Sequence, residues 1–177
     1  MWRYLSAVFS LLVSFQVAAE PAGVGPVFEE YGPTFAIEGL DVPVDKGMDY
    51  KAVFDASAYP GDVTAINVEL ESVARFINMH ARHGVPLENM HLAVVLHGEA
   101  LKSALAHDAY RERYDVENPN LALLMQLAEA GVRLYVCGQS LGFRDFEASE
   151  LVSQVDVALS AMTMLTVLQA EGYALLP

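Results

Sequence analysis

Cysteine is almost absent from this chain of 177 residues, which contains one, Cys137. One cysteine cannot form a disulfide within its own chain, so a fold held together by internal disulfides is excluded. The thiol of Cys137 is therefore free, bonded to another molecule, or used in chemistry.

Basic residues are scarce as well. Ten Lys and Arg residues stand against 23 Asp and Glu residues, and the formal net charge at pH 7 is −13. A surface of that sign repels nucleic acids and anionic lipid headgroups. We therefore expect no nucleic-acid partner.

Long apolar runs are missing except for one near the start. A short basic segment with Arg3 precedes an almost continuous apolar stretch from Leu5 to Val17, and small residues follow up to Ala19. This order is typical of a cleavable secretory signal. The stretch is shorter than the roughly 20 residues of a transmembrane helix; an uncleaved anchor is the alternative. We predict a signal peptide over residues 1–19, cleavage after Ala19, a periplasmic protein and no membrane span in the mature chain.

Several familiar catalytic signatures are also missing. The chain contains no phosphate loop, zinc ligand set, Ser-His-Asp signature or dinucleotide fingerprint. His80 and His83 lie three residues apart near the end of a predicted helix, but two ligands make an incomplete zinc site. The helix dipole favours histidine at such positions in any case. The sequence therefore predicts neither a cofactor nor a metal.

What the chain does contain is enough apolar material for one domain. Its hydrophobic content is 54%, which suffices for a sizeable core at this length. Residues 20–47 are rich in Pro and Gly and carry isolated aromatics at Phe28, Tyr31 and Phe35. We predict an extended N-terminal arm whose aromatics pack on the domain or on a neighbouring subunit.

Residues 48–177 alternate between strand and helix patterns. The predicted strands are residues 48–55, 90–96, 131–137, 155–159 and 173–176. The predicted helices run from a cap at Asp62 to Gly84, over residues 99–106, from Asn118 to Gly131, and from a cap at Ser160 to Gly172, while residues 110–117 are predicted to form a charged surface excursion. This order predicts an α/β fold, a three-layer α/β/α sandwich with a mainly parallel five-stranded sheet.

The third predicted strand ends at Cys137, which Gly138 follows. Loops at the carboxyl ends of parallel strands form the ligand crevice of such folds, and Gly138 allows a tight turn and a close approach of a ligand. A helical turn over residues 139–143 would lower the thiol pKa through its N–H groups and dipole. The alternative is that Cys137 is a small buried apolar residue.

Four other residues are candidates for the same edge of the sheet. His97 ends the second strand and is suited to hold or deprotonate a thiol, or it hydrogen-bonds a loop. Asp55 ends the first strand and lines the edge, or it caps a helix or bonds a loop. Gln139 and Ser140 donate hydrogen bonds to a bound sulfur or anion, or satisfy the turn.

Five segments together resemble a known family. They are residues 94–98, 118–120, 131–141, 159–163 and 169–173, with the cysteine segment and the Ser-Ala-Met-Thr helix start the most specific. The pattern resembles the DsrE/DsrF-like family from about Tyr50 to the C-terminus. It is similar in particular to the branch with signal peptides that is described as intracellular sulfur oxidation proteins.

The resemblance implies a three-layer α/β/α fold, assembly into trimers or hexamers, and a sulfur-carrying cysteine at Cys137. That cysteine would accept sulfane sulfur as a persulfide and pass it to a partner, with a protein or a small sulfur compound as donor or acceptor. Whether the chain also turns over as a sulfurtransferase is left open. The alternative is a non-catalytic oligomeric or small-ligand-binding module with a structural cysteine.

The last predicted helix is apolar over most of its circumference. Its apolar residues are Ala161, Met162, Met164, Leu165, Val167 and Leu168. One sheet face buries only part of such a helix, so we predict a homo-oligomer with the arm helping to clasp neighbours. The alternative is that the arm folds back over this helix within one chain.

Overall fold

A computed structural model describes residues 21–176 of the chain. The predicted signal peptide lies outside the described residues. Five strands form one sheet in the order β4-β3-β2-β1-β5, and every pairing is parallel. The strands are β1 Tyr50–Ala56, β2 Met90–Leu96, β3 Arg133–Cys137, β4 Val155–Ala158 and β5 Ala174–Leu176. The predicted α/β fold is confirmed, with an all-parallel sheet.

Helices connect successive strands, as parallel pairing requires. They are α1 Val68–Arg82, α2 His107–Tyr114, α3 Leu121–Glu129, α4 Gly138–Phe143 and α5 Ala161–Ala170, with short 3-10 helices at Leu87–Asn89, Gly98–Ala104 and Ala148–Glu150. Among the described helices, none is both long and apolar enough to cross a membrane.

The larger part of the core lies on one face of the sheet, which we call the first face. Side chains alternate between the two faces along each strand, and Phe54, Val94 and Val136 point to the first face. Helices α1 and α3 and the 3-10 helix Gly98–Ala104 cover it with the buried residues Leu70, Val73, Ile77, Leu101, Leu123, Leu124 and Leu127.

A smaller cluster occupies the second face. Val53, Ala93, Val95 and Cys137 are buried there under Ala161 and Leu168 of α5. The strands β1 and β2 are thus apolar on both faces, which is typical of central strands in a covered parallel sheet.

The N-terminal arm packs on the outer side of α1. The amide of Asn78 on α1 accepts hydrogen bonds from the backbone N–H groups of Val27 and Phe28, and it donates to three arm carbonyls. Phe28 and Tyr31 are buried in the first-face core, whereas Phe35 is exposed. The alternative in which the arm folds over the last helix is therefore wrong.

Two local predictions are wrong for reasons that lie elsewhere in the chain. Asn67 caps α1, because its Oδ1 accepts from the Glu69 N–H, whereas Asp62 bonds Thr64 in the preceding turn. The predicted surface excursion contains α2, whose Tyr110 is fully buried and donates its hydroxyl to the Val63 carbonyl.

Candidate functional site

The carboxyl edge of the sheet brings three predicted site residues to one face. Leu96 and Val136 are register partners in β2 and β3, so His97 and Cys137 follow at the next position of adjacent strands. Asp55 on β1 is the register partner of Val95 on β2. Since side chains alternate along strands, Asp55, His97 and Cys137 share the second face.

Cys137 lies between the starts of two helices. It is the N-cap of α4, and its Sγ accepts a hydrogen bond from the Ser140 N–H at 3.4 Å. The backbone N–H groups of Gln139 and of Ala161, the first residue of α5, also lower the pKa of this thiol. Ser160 holds α5 in this orientation, because its Oγ accepts from the Thr163 N–H at 3.0 Å. The starts of α4 and α5 therefore both act on one sulfur atom.

The environment of Cys137 has two opposing effects on its thiol. Burial raises the pKa, and hydrogen bonds from Ser140, Ala161 and Gln139 lower it; the hydrogen bonds prevail, so the thiol pKa is below its ordinary value. Cys137 is also only 5% exposed. The fold therefore favours the nucleophilic thiolate and shields it from solvent.

His97 is engaged by a carboxylate and not by the thiol. Its Nε2 lies 2.7 Å from Oδ1 of Asp55, and both side chains are about one-third exposed. Within the described residues, no hydrogen bond joins His97 to Cys137. The predicted alternative partners, a loop for His97 and a helix end or a loop for Asp55, are replaced by this His–Asp pair. The pair fixes the orientation of the ring.

Glu69 is a nearby acidic residue that sequence reasoning missed. Its Oε2 accepts a hydrogen bond from the Ala58 N–H at 3.0 Å, and its charge acts on both Asp55 and His97. Burial, together with the Asp55 charge, raises the pKa of Glu69. The signal in the sequence was its place in the first turn of the helix after β1, where a carboxylate also stabilises the helix dipole.

The side chains after Cys137 already have protein partners. Ser140 Oγ accepts from the Gly98 N–H at 3.3 Å, and Gln139 Nε2 donates to the Leu159 carbonyl at 3.3 Å. A Cβ on Gly138 would lie 2.9 Å from the Ala158 carbonyl oxygen, so glycine is required for this close approach. The predicted binding of sulfur or an anion by Gly138, Gln139 and Ser140 stays a prediction.

A small open trough begins beside Cys137. It has a volume of about 320 Å³ and is lined by Gly138, Gln139, Gly142 and Phe143. Phe143 is 88% exposed, which is unusual for a large aromatic side chain. The trough offers space for a small ligand next to the segment that bonds the thiolate.

The other two candidate histidines bond backbone carbonyls. His80 Nδ1 lies 2.8 Å from the Phe76 carbonyl oxygen, and the two rings stack. His83 Nδ1 lies 2.8 Å from the Met79 carbonyl oxygen. In residues 21–176, no group of three His, Cys, Asp or Glu residues is arranged to hold a metal ion.

Comparisons with known proteins bear on the family and the fold. A model of the DsrE/DsrF-like family matches residues 48–177. Among solved structures, a protein of unknown function from Methanobacterium thermoautotrophicum is similar at 20% identity and a TM-score of 0.54, and the match covers 72% of this chain and 98% of that chain. At this identity the likeness concerns the fold alone. A search of curated proteins finds no match.

Proposed function

Because the chain belongs to the DsrE/DsrF-like family, we propose that it binds or transfers sulfane sulfur as a persulfide on Cys137. The observation that carries the proposal is that Sγ accepts a hydrogen bond from the Ser140 N–H at the start of α4, while the N–H groups of Gln139 and Ala161 also lower the thiol pKa. Such donors stabilise a negative sulfur before and after transfer.

The transfer is a thiolate exchange at sulfur. The Cys137 thiolate attacks the terminal sulfur of a donor R–S–SH, so the Sγ–S bond forms while the donor S–S bond breaks. R–S⁻ leaves with the electron pair of that bond, and the proton remains on the transferred sulfur. Sγ is oxidised to the same extent that the donor's carbon-bound sulfur is reduced, so no further oxidant is needed.

In this proposal His97 moves the proton. His97 lies at the next strand position beside Cys137, and Asp55 holds its ring through Nε2 at 2.7 Å. Nδ1 then accepts the persulfide proton and returns it to the leaving thiolate. Asp55 positions the imidazole, which makes its role one of orientation.

The proposal extends to export and assembly. The signal peptide over residues 1–19 would deliver the protein to the periplasm. Met162 and Val167 on α5 are exposed, as is Leu159 just before it, and the arm packs on α1. A homo-oligomer, trimeric or hexameric, would cover this apolar surface.

The second candidate function is a non-catalytic module with a structural cysteine, and the low exposure of Cys137 favours it. Intact mass spectrometry separates the two functions. After exposure to a polysulfide or thiosulfate donor, the wild type should gain the mass of one sulfur atom, and a reductant should remove it. The control variant Cys137→Ser should gain nothing. Absence of an adduct with every donor would leave the structural cysteine as the explanation.

His97 has its own test. His97→Ala should slow sulfur transfer to Cys137 and alter its pH profile, while the unfolding transition stays cooperative. His91→Ala is the matched control, because His91 lies at the opposite end of the same strand. Equal transfer rates in the His97 variant and the wild type would assign His97 a structural role.

A further inference from the structure

A second depression lies next to the trough at Cys137. It has a volume of about 460 Å³ and is lined by Arg113, Tyr114, Phe143, Arg144 and Phe146. Phe143 lines both spaces, so they adjoin at its ring. A ligand seated in the depression can therefore extend past Phe143 toward Gly138, the residue after the cysteine.

The depression brings two arginines together in an acidic protein, each paired with a glutamate. Two of the ten basic residues of the chain line it. Arg113 donates from Nε and Nη2 to the Glu150 carboxylate and from Nη2 to the Asp145 carbonyl. Arg144 Nη1 lies 2.6 Å from Oε1 of Glu99.

These pairings leave donors for a ligand. A guanidinium has five N–H donors. Arg113 uses Nε and Nη2 on protein groups and keeps Nη1, while Arg144 keeps Nη2 and Nε. Both arginine side chains are about one-third exposed. Guanidinium groups held in this way bind carboxylates with defined geometry.

We propose that this depression binds the carboxylates of a small organic persulfide, which is the sulfur donor for Cys137. The assignment rests on the proposed function. Arg113 and Arg144 would bind the donor's carboxylates, and the exposed ring of Phe143 would pack against its carbon skeleton. A space of this volume is typical of a small-molecule site, which favours a small donor over a protein.

The transferred atom then follows the trough. The donor's terminal sulfur passes Gly142, where a Cβ would meet nothing within 4 Å, and reaches Sγ of Cys137 beside Gly138. The Sγ–S bond forms, the donor S–S bond breaks, and the organic thiolate remains held by its carboxylates until it leaves. A donor without carboxylates lacks this anchor.

Binding is tested first with an unreactive probe, S-methylglutathione, which carries two carboxylates and no transferable sulfur. Titration of the protein should show saturable binding, and Arg144→Gln should weaken it about tenfold, the loss of one charged hydrogen bond. Arg111→Gln is the matched control, because Arg111 is also ion-paired and exposed but does not line the depression. No binding by the wild type, or equal binding by the Arg144 and Arg111 variants, would overturn the assignment.

Transfer is tested with two donors, glutathione persulfide and the persulfide of 2-mercaptoethanol, which has no carboxylate. Arg144→Gln should slow sulfur loading from glutathione persulfide about tenfold and leave loading from the second donor unchanged. Equal slowing of both donors would contradict the anchor. If neither donor loads the wild type, the proposed function fails. The binding titration then still shows whether the depression binds a ligand with carboxylates.

Discussion

The two faces of the sheet are covered by different amounts of chain. The first face is covered by α1, α3, a 3-10 helix and the N-terminal arm, and the buried Asn78 holds the arm by hydrogen bonds. On the second face, α5 is the only helix in the second-face cluster of the described residues, and Met162 on it is 78% exposed. The first face stabilises the fold, and the second face carries Cys137.

This difference suits the sulfur-carrier role proposed above. The thick first face holds the strand ends of β1, β2 and β3 in register, and that register places Asp55, His97 and Cys137 side by side. The thin second face leaves the start of α5 near the surface, where a partner or a donor can approach. The first face thus fixes the positions of the site residues, and the second face allows a donor or a partner to approach them.

The largest expected effect comes from removing the hydrogen bonds that Asn78 makes to the N-terminal arm on the first face. Asn78→Ala removes hydrogen bonds to Val27, Phe28, Tyr31 and Gly32 and leaves buried backbone groups unpaired. We expect the free energy of unfolding to fall by about 3 kcal/mol, measured by urea denaturation, with faster hydrogen exchange in the arm.

Met79→Ala controls for this change, because Met79 is the next residue and is exposed. We expect its effect to stay within about 0.5 kcal/mol, the range typical of surface sites. If Asn78→Ala were equally mild, the arm would be dispensable, and the contrast between the two faces would lose its main support.

The next effect sharpens the contrast at the carboxyl edge. Gly138→Ala would place a Cβ 2.9 Å from the Ala158 carbonyl oxygen, so the chain after Cys137 must shift. We expect a loss of about 1–3 kcal/mol of stability and slower sulfur loading. In Gly142→Ala, about one turn further along the same helix, the new Cβ meets nothing within 4 Å. That variant should be neutral or stabilised by up to about 1 kcal/mol. Equal losses of stability in the two variants would contradict the close contact between Gly138 and the Ala158 carbonyl.

Much of the fold follows from local sequence pattern. The segment Met90–Leu96 is apolar at nearly every position, and this was enough to predict a buried central strand with the observed bounds. Gly131 and Gly172 end their helices in the left-handed conformation, as glycines after helices often do. Cys137 was placed at the end of a strand from the apolar run before it.

The errors arise where distant residues decide. Asp62 and Asn67 are both good cap residues, and Asn67 prevails because its N–H donates to Asn120 and its amide to Ser103. The charged segment around Tyr110 is helical because that tyrosine fills the first-face core. Neither the hydrogen bonds of Asn67 nor the burial of Tyr110 can be predicted from the local sequence pattern.

The candidate site, like the fold, has a part that local sequence predicts and a part that depends on distant contacts. The strand ends predicted a common edge, since carboxyl ends of parallel strands meet there. The pairing of His97 with Asp55 depends on side-chain orientation, and the effect of the Ala161 N–H on the Cys137 thiol depends on how α5 packs on the sheet. Both are tertiary facts that a single sequence does not contain.

A smaller effect tests the thin face. Met162→Ser removes an exposed apolar side chain from α5, so the unfolding free energy of the monomer should change by no more than about 0.5 kcal/mol. The dissociation constant of the proposed homo-oligomer should rise about tenfold, measured by light scattering over a dilution series. Val42→Ser is the matched control, because Val42 is 81% exposed and lies on the arm. A wild type that is monomeric at micromolar concentration would defeat the oligomer.

The smallest expected effect is the contribution of the Cys137 thiolate to stability. Its pKa is lowered in the folded chain, so folding favours the deprotonated thiol. The resulting stability is fully present above the unfolded thiol pKa of about 8.5 and is lost as pH falls through the lower folded pKa. The stability difference between wild type and Cys137→Ser should therefore grow as pH rises through that window. Urea denaturation over a pH series measures it. A difference that is flat or shrinks with rising pH would show that the effect of burial on the thiol pKa outweighs the effect of the surrounding N–H groups.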